Sequence, residues 1–491
     1  MKAYISGLLT LLMLSGLQAQ AQDKPQPDRA ESYLRSQMQK RGIPGLQFAV
    51  VRHGKIVKLG AYGLANIEHS VPVTNSTVFS IASITKAFTG VAIMQLVEDG
   101  KLDLAAPVSR YLNGLPAAWQ AVSIYQLLMH ASGIPDIVDP NAGKLIVDGN
   151  PDAAWAKILT LPMEFAPGER FSYNQTNYVL LEQIIDKLSG KPFTQFIAER
   201  QFDAIGMQQS SFGDFAAIVP NRAQPYSYLQ RSDEKGGRIG KLCNVFYESA
   251  PFLLAGNGIN TTAKQLASWI IALQKGRLFK AKTSLTTLWT PGILNNGSLN
   301  RYAVGWRTIT RPEHRAVGGT GGNWAAFFVY PDDDLAVVIL TNLNGADPES
   351  FIDEVAGYYI PEMRVSAGFG LPSTVKAFHK ELMKRGFDHT LEVVSEAQQK
   401  NAAYRLPETD VNTWGYWLMG QAQTREAIEI FKLNVSLYPA SANTYDSLAE
   451  AYEAIGDRPV AIKNYKRSLE LNSQNTHAME HLKKLESELP H

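Results

Sequence analysis

Strand-like runs sit at both ends of residues 30–360, with helical runs between them, and this placement constrains the fold more than any other feature. Residues 46–52 and 55–62 alternate apolar and polar side chains around His53-Gly54, a hairpin signal. Residues 324–330 and 335–341 are apolar, β-branched or aromatic, with Pro331-Asp332-Asp333-Asp334 turning the chain between them. Between the two pairs, residues 81–98 carry helical spacing that Gly100 ends, and after the second pair 351–359 reads as a short closing helix. An α+β layered domain over about residues 31–362 is expected, its antiparallel sheet flanked by helices. At 491 residues the chain is too long for one ordinary domain.

Beyond residue 370 the pattern is helical only, and it repeats with a 34-residue offset. Asn412, Leu418, Ala427, Phe431 and Lys432 are matched by Asp446, Tyr452, Ala461, Tyr465 and Lys466. Pro439 ends the first unit and Gly456-Asp457 turns the chain within the second. This is the tetratricopeptide period, so an all-α domain of that type is expected over 370–488, with upstream segments 373–384 and 388–401 as a degenerate or capping repeat. Two readings stay open: a docking surface for a protein partner, or a scaffold that steadies the first domain.

Lys2, the short apolar run at 5–17 and Ala19-Gln20-Ala21 read as a signal peptide over 1–21. The run, about 13 residues, is too short to span a bilayer, which needs about 20. Residues 22–30 are polar and Pro-rich, a linker, and no Cys follows the cleavage point to take a lipid. The expectation is an exported protein, periplasmic or secreted, without a membrane span. Lys and Arg (47) nearly cancel Asp and Glu (46), so nothing marks a nucleic-acid partner. Cys243 is the one cysteine, which excludes an intramolecular disulfide and multi-thiolate metal sites. It reads as a small buried apolar residue. No His-Glu-x-x-His cluster is present and the Asp332–334 run lacks spaced ligands, so no metal or cofactor is expected.

Ser83-Ile84-Thr85-Lys86 is an S-x-x-K element heading an apolar helix. Ser and Lys at i and i+3 share a helix face, and a buried Lys loses its charge and can take the serine proton. The same spacing at Ser232…Lys235 falls in a charged stretch that reads as a surface loop. At Ser373…Lys376 it starts a helix, where a capping serine is natural.

Residues 79–89 resemble the nucleophile segment of the serine β-lactamase and penicillin-binding-protein-like hydrolases. Three more segments follow in that family's order. Leu127-Leu128-Met129-His130-Ala131-Ser132-Gly133-Ile134-Pro135 resembles its central landmark. Residues 167–178 resemble its tyrosine motif, and Gly318-Gly319-Thr320-Gly321-Gly322 its last active-site strand. The resemblance covers about residues 30–360. It implies Ser83 as nucleophile, Lys86 as proton acceptor and Tyr173 as proton relay, with an oxyanion hole from the N–H groups of Ser83 and Gly319. It further implies that Gln175, Gly318 and Gly319 bind a small-molecule or peptide ester or amide substrate, and that His130 is a packing residue.

Two positions depart from the family pattern. Gln175 stands where the family has Asn. Ala316, counted back from Gly318 and Pro331, stands where it has the Lys or His of Lys-Thr-Gly or His-x-Gly, which argues against efficient binding of penicillin-type carboxylates. The sequence therefore reads as an esterase or D-peptidase-like serine hydrolase before a true β-lactamase. The rival reading is a catalytically silent cell-wall-peptide-binding protein that docks partners through its repeats.

Overall fold

The computed structural model describes residues 29–139, 144–147, 149–214, 216–232, 238–245, 250–311, 313–421 and 423–487. The signal-peptide segment 1–21 lies outside the described residues, as does the expected linker up to residue 28. Helix α1 (Arg29–Arg41) already begins inside the span read as linker.

Seven strands, β1 (Gly45–Arg52), β2 (Lys55–Asn66), β3 (Val71–Pro72), β4 (Arg307–Ile309), β5 (Ala316–Gly321), β6 (Ala325–Tyr330) and β7 (Leu335–Thr341), form one sheet in the order β4-β5-β6-β7-β1-β2-β3. Every pairing is antiparallel. The two ends of the domain meet at its centre, where β1 runs against β7 with Ala49 opposite Val338. Strands β6 and β7 are buried at every residue, which is why both are continuous apolar runs and not alternating ones.

Both faces of the sheet are covered. On one, α1 and α6 (Ile352–Gly357) pack over Phe48, Val50, Ala316 and Phe328. On the other lie α2 (Thr85–Glu98), α3 (Ile124–Leu128), α4 (Thr176–Ser189) and α5 (Ala263–Gln274), against Ala49, Val51, Val317 and Phe327. Every residue of α2 from Thr85 to Leu96 is buried. A helix apolar on all sides belongs inside a core. The Phe88 ring stacks on Trp269 of α5 at 3.9 Å, and Trp269 stacks in turn on Trp306 at 5.6 Å.

After residue 370 the described elements are helices: α7 (Ser373–Arg385), α8 (Thr390–Lys400), α9 (Glu408–Gly420), α10 (Thr424–Leu437), α11 (Ala442–Ala454), α12 (Arg458–Leu471) and α13 (Thr476–Ser487). Helices α9, α11 and α13 start at 408, 442 and 476, and α10 and α12 at 424 and 458, so each step is 34 residues. Small residues sit where the helices cross. A Cβ added to Gly415 of α9 would lie 2.3 Å from the Phe431 ring of α10.

Three sequence expectations need correcting. Cys243 is half-exposed, not buried: it lies on the strand Arg238–Asn244, where Leu242 packs on the core and alternation turns Cys243 to the other side. Ser232 ends the strand Tyr226–Ser232 and is not in a loop. Ser373 does not cap α7; it is the first helical residue, after Pro372, and no side chain caps that end.

Replacing Phe88 with Ala removes the ring on which Trp269 stacks. The expected cost is about 3–5 kcal/mol of first-domain stability, read as a lower urea midpoint with an unchanged slope.

Candidate active site

Ser83 lies in a single 3-10 turn, Ala82–Ile84, wedged between the sheet and α2. The preceding Ala82 has φ +41°, a conformation that side chains rarely adopt. The turn is held there by the Ile81 N–H on the Ile259 carbonyl and the Ile84 N–H on the Ile81 carbonyl, both at 3.0 Å. Strained backbone of this kind persists only where its surroundings over-determine it.

Lys86, in the first turn of α2, is buried and reaches three groups. Its Nζ is 3.3 Å from Ser83 Oγ, 3.0 Å from Gln175 Oε1 and 2.8 Å from the Gly256 carbonyl. It also lies over the rings of Tyr173 (4.8 Å) and Tyr178 (5.0 Å). Burial pulls its pKa down to about 7, against an upward pull from the charge of Asp136. An uncharged amine has two N–H donors and one lone pair. Gly256 and Gln175 offer only acceptor oxygens, so they take the two donors, and the lone pair is left for the Ser83 hydroxyl.

Tyr173 keeps 38% of its surface exposed while its hydroxyl interacts with Ser83 and Gln175. Burial first, then the neighbouring Tyr302, pushes its pKa well above the usual value, so it stays protonated. His130 is buried against Tyr173 (4.4 Å), Tyr178 and Tyr302. Its Nδ1 accepts the Asn174 N–H at 3.1 Å, which leaves the proton on Nε2. Burial, with Lys86 nearby, holds it neutral. This is the packing role expected of it.

The structure brings Ser83, Lys86, Tyr173 and Gln175 together, and turns Ala316 away from them. Ala316 packs among Phe328 and Val337 on the α1/α6 face, away from Ser83, whereas Val317 faces α2. Gly318 shares the Ala316 side: a Cβ there would lie 2.0 Å from the Phe327 carbonyl and 2.8 Å from the Phe328 ring. Gly319 and Gly321 face the nucleophile turn. A Cβ on Gly319 would stand 3.4 Å from the Ile84 side chain, and one on Gly321 2.1 Å from the Ile81 carbonyl. The face of β5 turned toward the nucleophile segment thus carries Val317, Gly319 and Gly321, none of which offers a cation or an imidazole.

Strand β4 covers residues 316–318 of β5 and leaves 319–321 as an open edge. The Thr341 N–H takes the Trp324 carbonyl, so Ala325 directs its peptide groups to its partner Gly321. Ladder partners alternate, which ties Gly319 to β6 as well and turns the Thr320 N–H outward.

Sequence reasoning missed three contributors. Asp136 follows the central landmark directly. Glu182 on α4 accepts the Ala255 N–H at 2.9 Å and so steadies the turn that carries Gly256, and burial raises its pKa to about 7. A Cβ on Gly256 would stand 2.9 Å from Gln175 Oε1 and 3.2 Å from Lys86 Nζ, so a side chain there would displace those two groups. None of these carries a local sequence signal beyond residue type. Among the described residues no cluster of His, Cys, Asp or Glu could hold a metal, and no helix is long and apolar enough to cross a membrane.

An S-x-x-K turn between an antiparallel sheet and an apolar helix, with a tyrosine hydroxyl at the serine, defines the class of β-lactamase- and penicillin-binding-protein-like folds. The chain belongs to the beta-lactamase family, whose profile matches residues 30–357. Protein flp of Staphylococcus aureus (strain MW2) is 25% identical over 343 residues, 68% of this chain and 67% of that protein. Penicillin-binding protein 4* of Bacillus subtilis is 28% identical over 306 residues, 59% of this chain and 66% of that one. The octameric penicillin-binding protein homologue from Pyrococcus abyssi aligns with TM-score 0.56 and 26% identity, covering 68% of this chain and 77% of that one.

Gly321→Ala would drive a methyl into the Ile81 carbonyl and shift the Ser83 turn. Reactivity of Ser83 toward a fluorophosphonate is expected to fall about 100-fold, with an unchanged far-UV circular dichroism spectrum.

Proposed function

We propose that this chain is a serine hydrolase that forms an acyl-enzyme on Ser83 and hydrolyses an ester or amide. The observation that carries this reading is Lys86: buried, near neutrality, its two donors taken by acceptors and its lone pair left for Ser83 Oγ at 3.3 Å. The Ser83 proton passes to Lys86 Nζ as Oγ bonds to the substrate carbonyl carbon. The oxyanion is taken by the N–H groups of Ser83 and Thr320, the latter in place of Gly319. The Tyr173 hydroxyl relays the proton from the Lys86 ammonium to the leaving group, gaining one proton as it gives one up, and water then releases the acyl group by the reverse path.

The β5 face toward Ser83, with apolar Val317 and then Gly319 and Gly321, supplies neither charge nor imidazole, which favours an esterase or a less carboxylate-dependent peptidase over a true β-lactamase. The 34-residue helical pairs support a tetratricopeptide-type domain that docks a protein partner. Residues 1–21 support export to the periplasm or medium. The rival, a silent binding protein, draws on the same apolar Val317.

Intact-mass analysis after fluorophosphonate treatment is expected to show one adduct, mapped to Ser83 and lost in Ser83→Ala. An unmodified but folded wild type would overturn the hydrolase reading. Because Lys86 acts as the free amine, kcat/KM on an ester substrate is expected to fall tenfold per pH unit below about 7 and to level off above it.

A further inference from the structure

Asp136 lies one residue beyond the central landmark, partly buried, with no task in the proton path above. Its Oδ1 accepts the Gln175 N–H at 3.0 Å and the Val138 N–H at 3.1 Å. Around this contact the two segments are tied further. The Thr176 hydroxyl donates to the Pro135 carbonyl and accepts the Ile137 N–H, both at 2.8 Å, and Asn174 Nδ2 donates to the Ile134 carbonyl at 2.7 Å. The Gln175 backbone is thus fixed by a carboxylate, and the Gln175 amide in turn meets Lys86.

The groups that face Lys86 are Ser83, Gln175, the Gly256 carbonyl, the rings of Tyr173 and Tyr178, neutral His130 and, through its charge, Asp136. Glu164 acts on Asp136 from the other side. When Lys86 takes the serine proton it becomes an ammonium in a site where the tyrosines stay protonated and the histidine stays neutral. A buried cation without a counter-charge is strongly disfavoured.

Resting on the hydrolase reading, we infer that Asp136 is a positioning residue for acylation: its carboxylate pins Gln175 against Lys86 and is the counter-charge for the Lys86 ammonium formed as Ser83 attacks. An amide in its place keeps an acceptor oxygen for the two N–H groups and loses only the charge, so the two duties can be told apart.

The test is the second-order rate of fluorophosphonate labelling at Ser83, from pH 5 to 9, in the full chain and in Asp136→Asn. Loss of the counter-charge is expected to lower the alkaline plateau about tenfold or more and to move the acid limb down by at least half a pH unit, about threefold at pH 6 relative to the plateau. A merely structural role would lower the plateau and leave the limb where it was, and that result overturns the inference. A wild type that takes no label at Ser83 overturns the hydrolase reading instead. Asp136 itself, raised to about 6 by burial, and Glu182, raised to about 7, titrate in the same range; Glu182→Gln is expected to keep the limb, and its disappearance there would count against the Lys86–Asp136 pair. Should Asp136→Asn not fold, Asp136→Ser keeps an acceptor oxygen without charge and is read the same way.

Discussion

An amine buried without its charge is the constraint on which the first domain depends. An ammonium taken out of water without a partner is far more costly than the neutral amine. The fold offers Lys86 the rings of Tyr173 and Tyr178 and just two pure acceptors, the Gly256 carbonyl and the Gln175 amide. Each acceptor is itself held. The Gly256 turn hangs on Glu182 through the Ala255 N–H, and Gln175 on Asp136. The apolar helix α2 that carries Lys86 inward is thereby matched by polar groups from distant parts of the chain.

The serine turn is squeezed from the opposite side by the sheet. Strand β5 passes so close that Gly319 and Gly321 leave no room for side chains, and the Trp324 indole N–H reaches the Ser80 carbonyl at 2.8 Å. Rigid strands on one side and a packed helix on the other keep Ala82 in its positive-φ conformation. For the proposed hydrolase, a serine held in this way is preorganised to meet an acyl group. The helical pairs after residue 370 add a separate core, built where alanines and Gly415 let helices approach closely.

Much of this was legible in the residues. Both hairpins, the α2 run and the 34-residue step follow from local patterning, because side chains on a strand or helix are sorted by short-range geometry. Four landmarks in order were enough to bring out Ser83, Lys86, Tyr173 and Gln175. Which face of the final strand meets the serine was not legible, since a run of glycines between apolar residues carries no period to say which side chain faces the helices. Cys243 failed for a related reason: a short strand covered on one face buries only alternate residues, and composition cannot say which. Asp136 and Glu182 carried no signal, because a carboxylate facing a buried lysine reads in sequence like any surface acid.

The sequence by itself determined the kinds of layers present, the pairing of nucleophile with lysine, and the helical period, all of which depend on residues close together in the chain. Only the tertiary structure decided which side of β5 meets the serine, that Ala316 lies on the opposite face, and which carboxylates reach the site. Those outcomes depend on burial and on contacts between segments far apart in sequence, where desolvation and charge act through space and leave no mark on neighbouring residues.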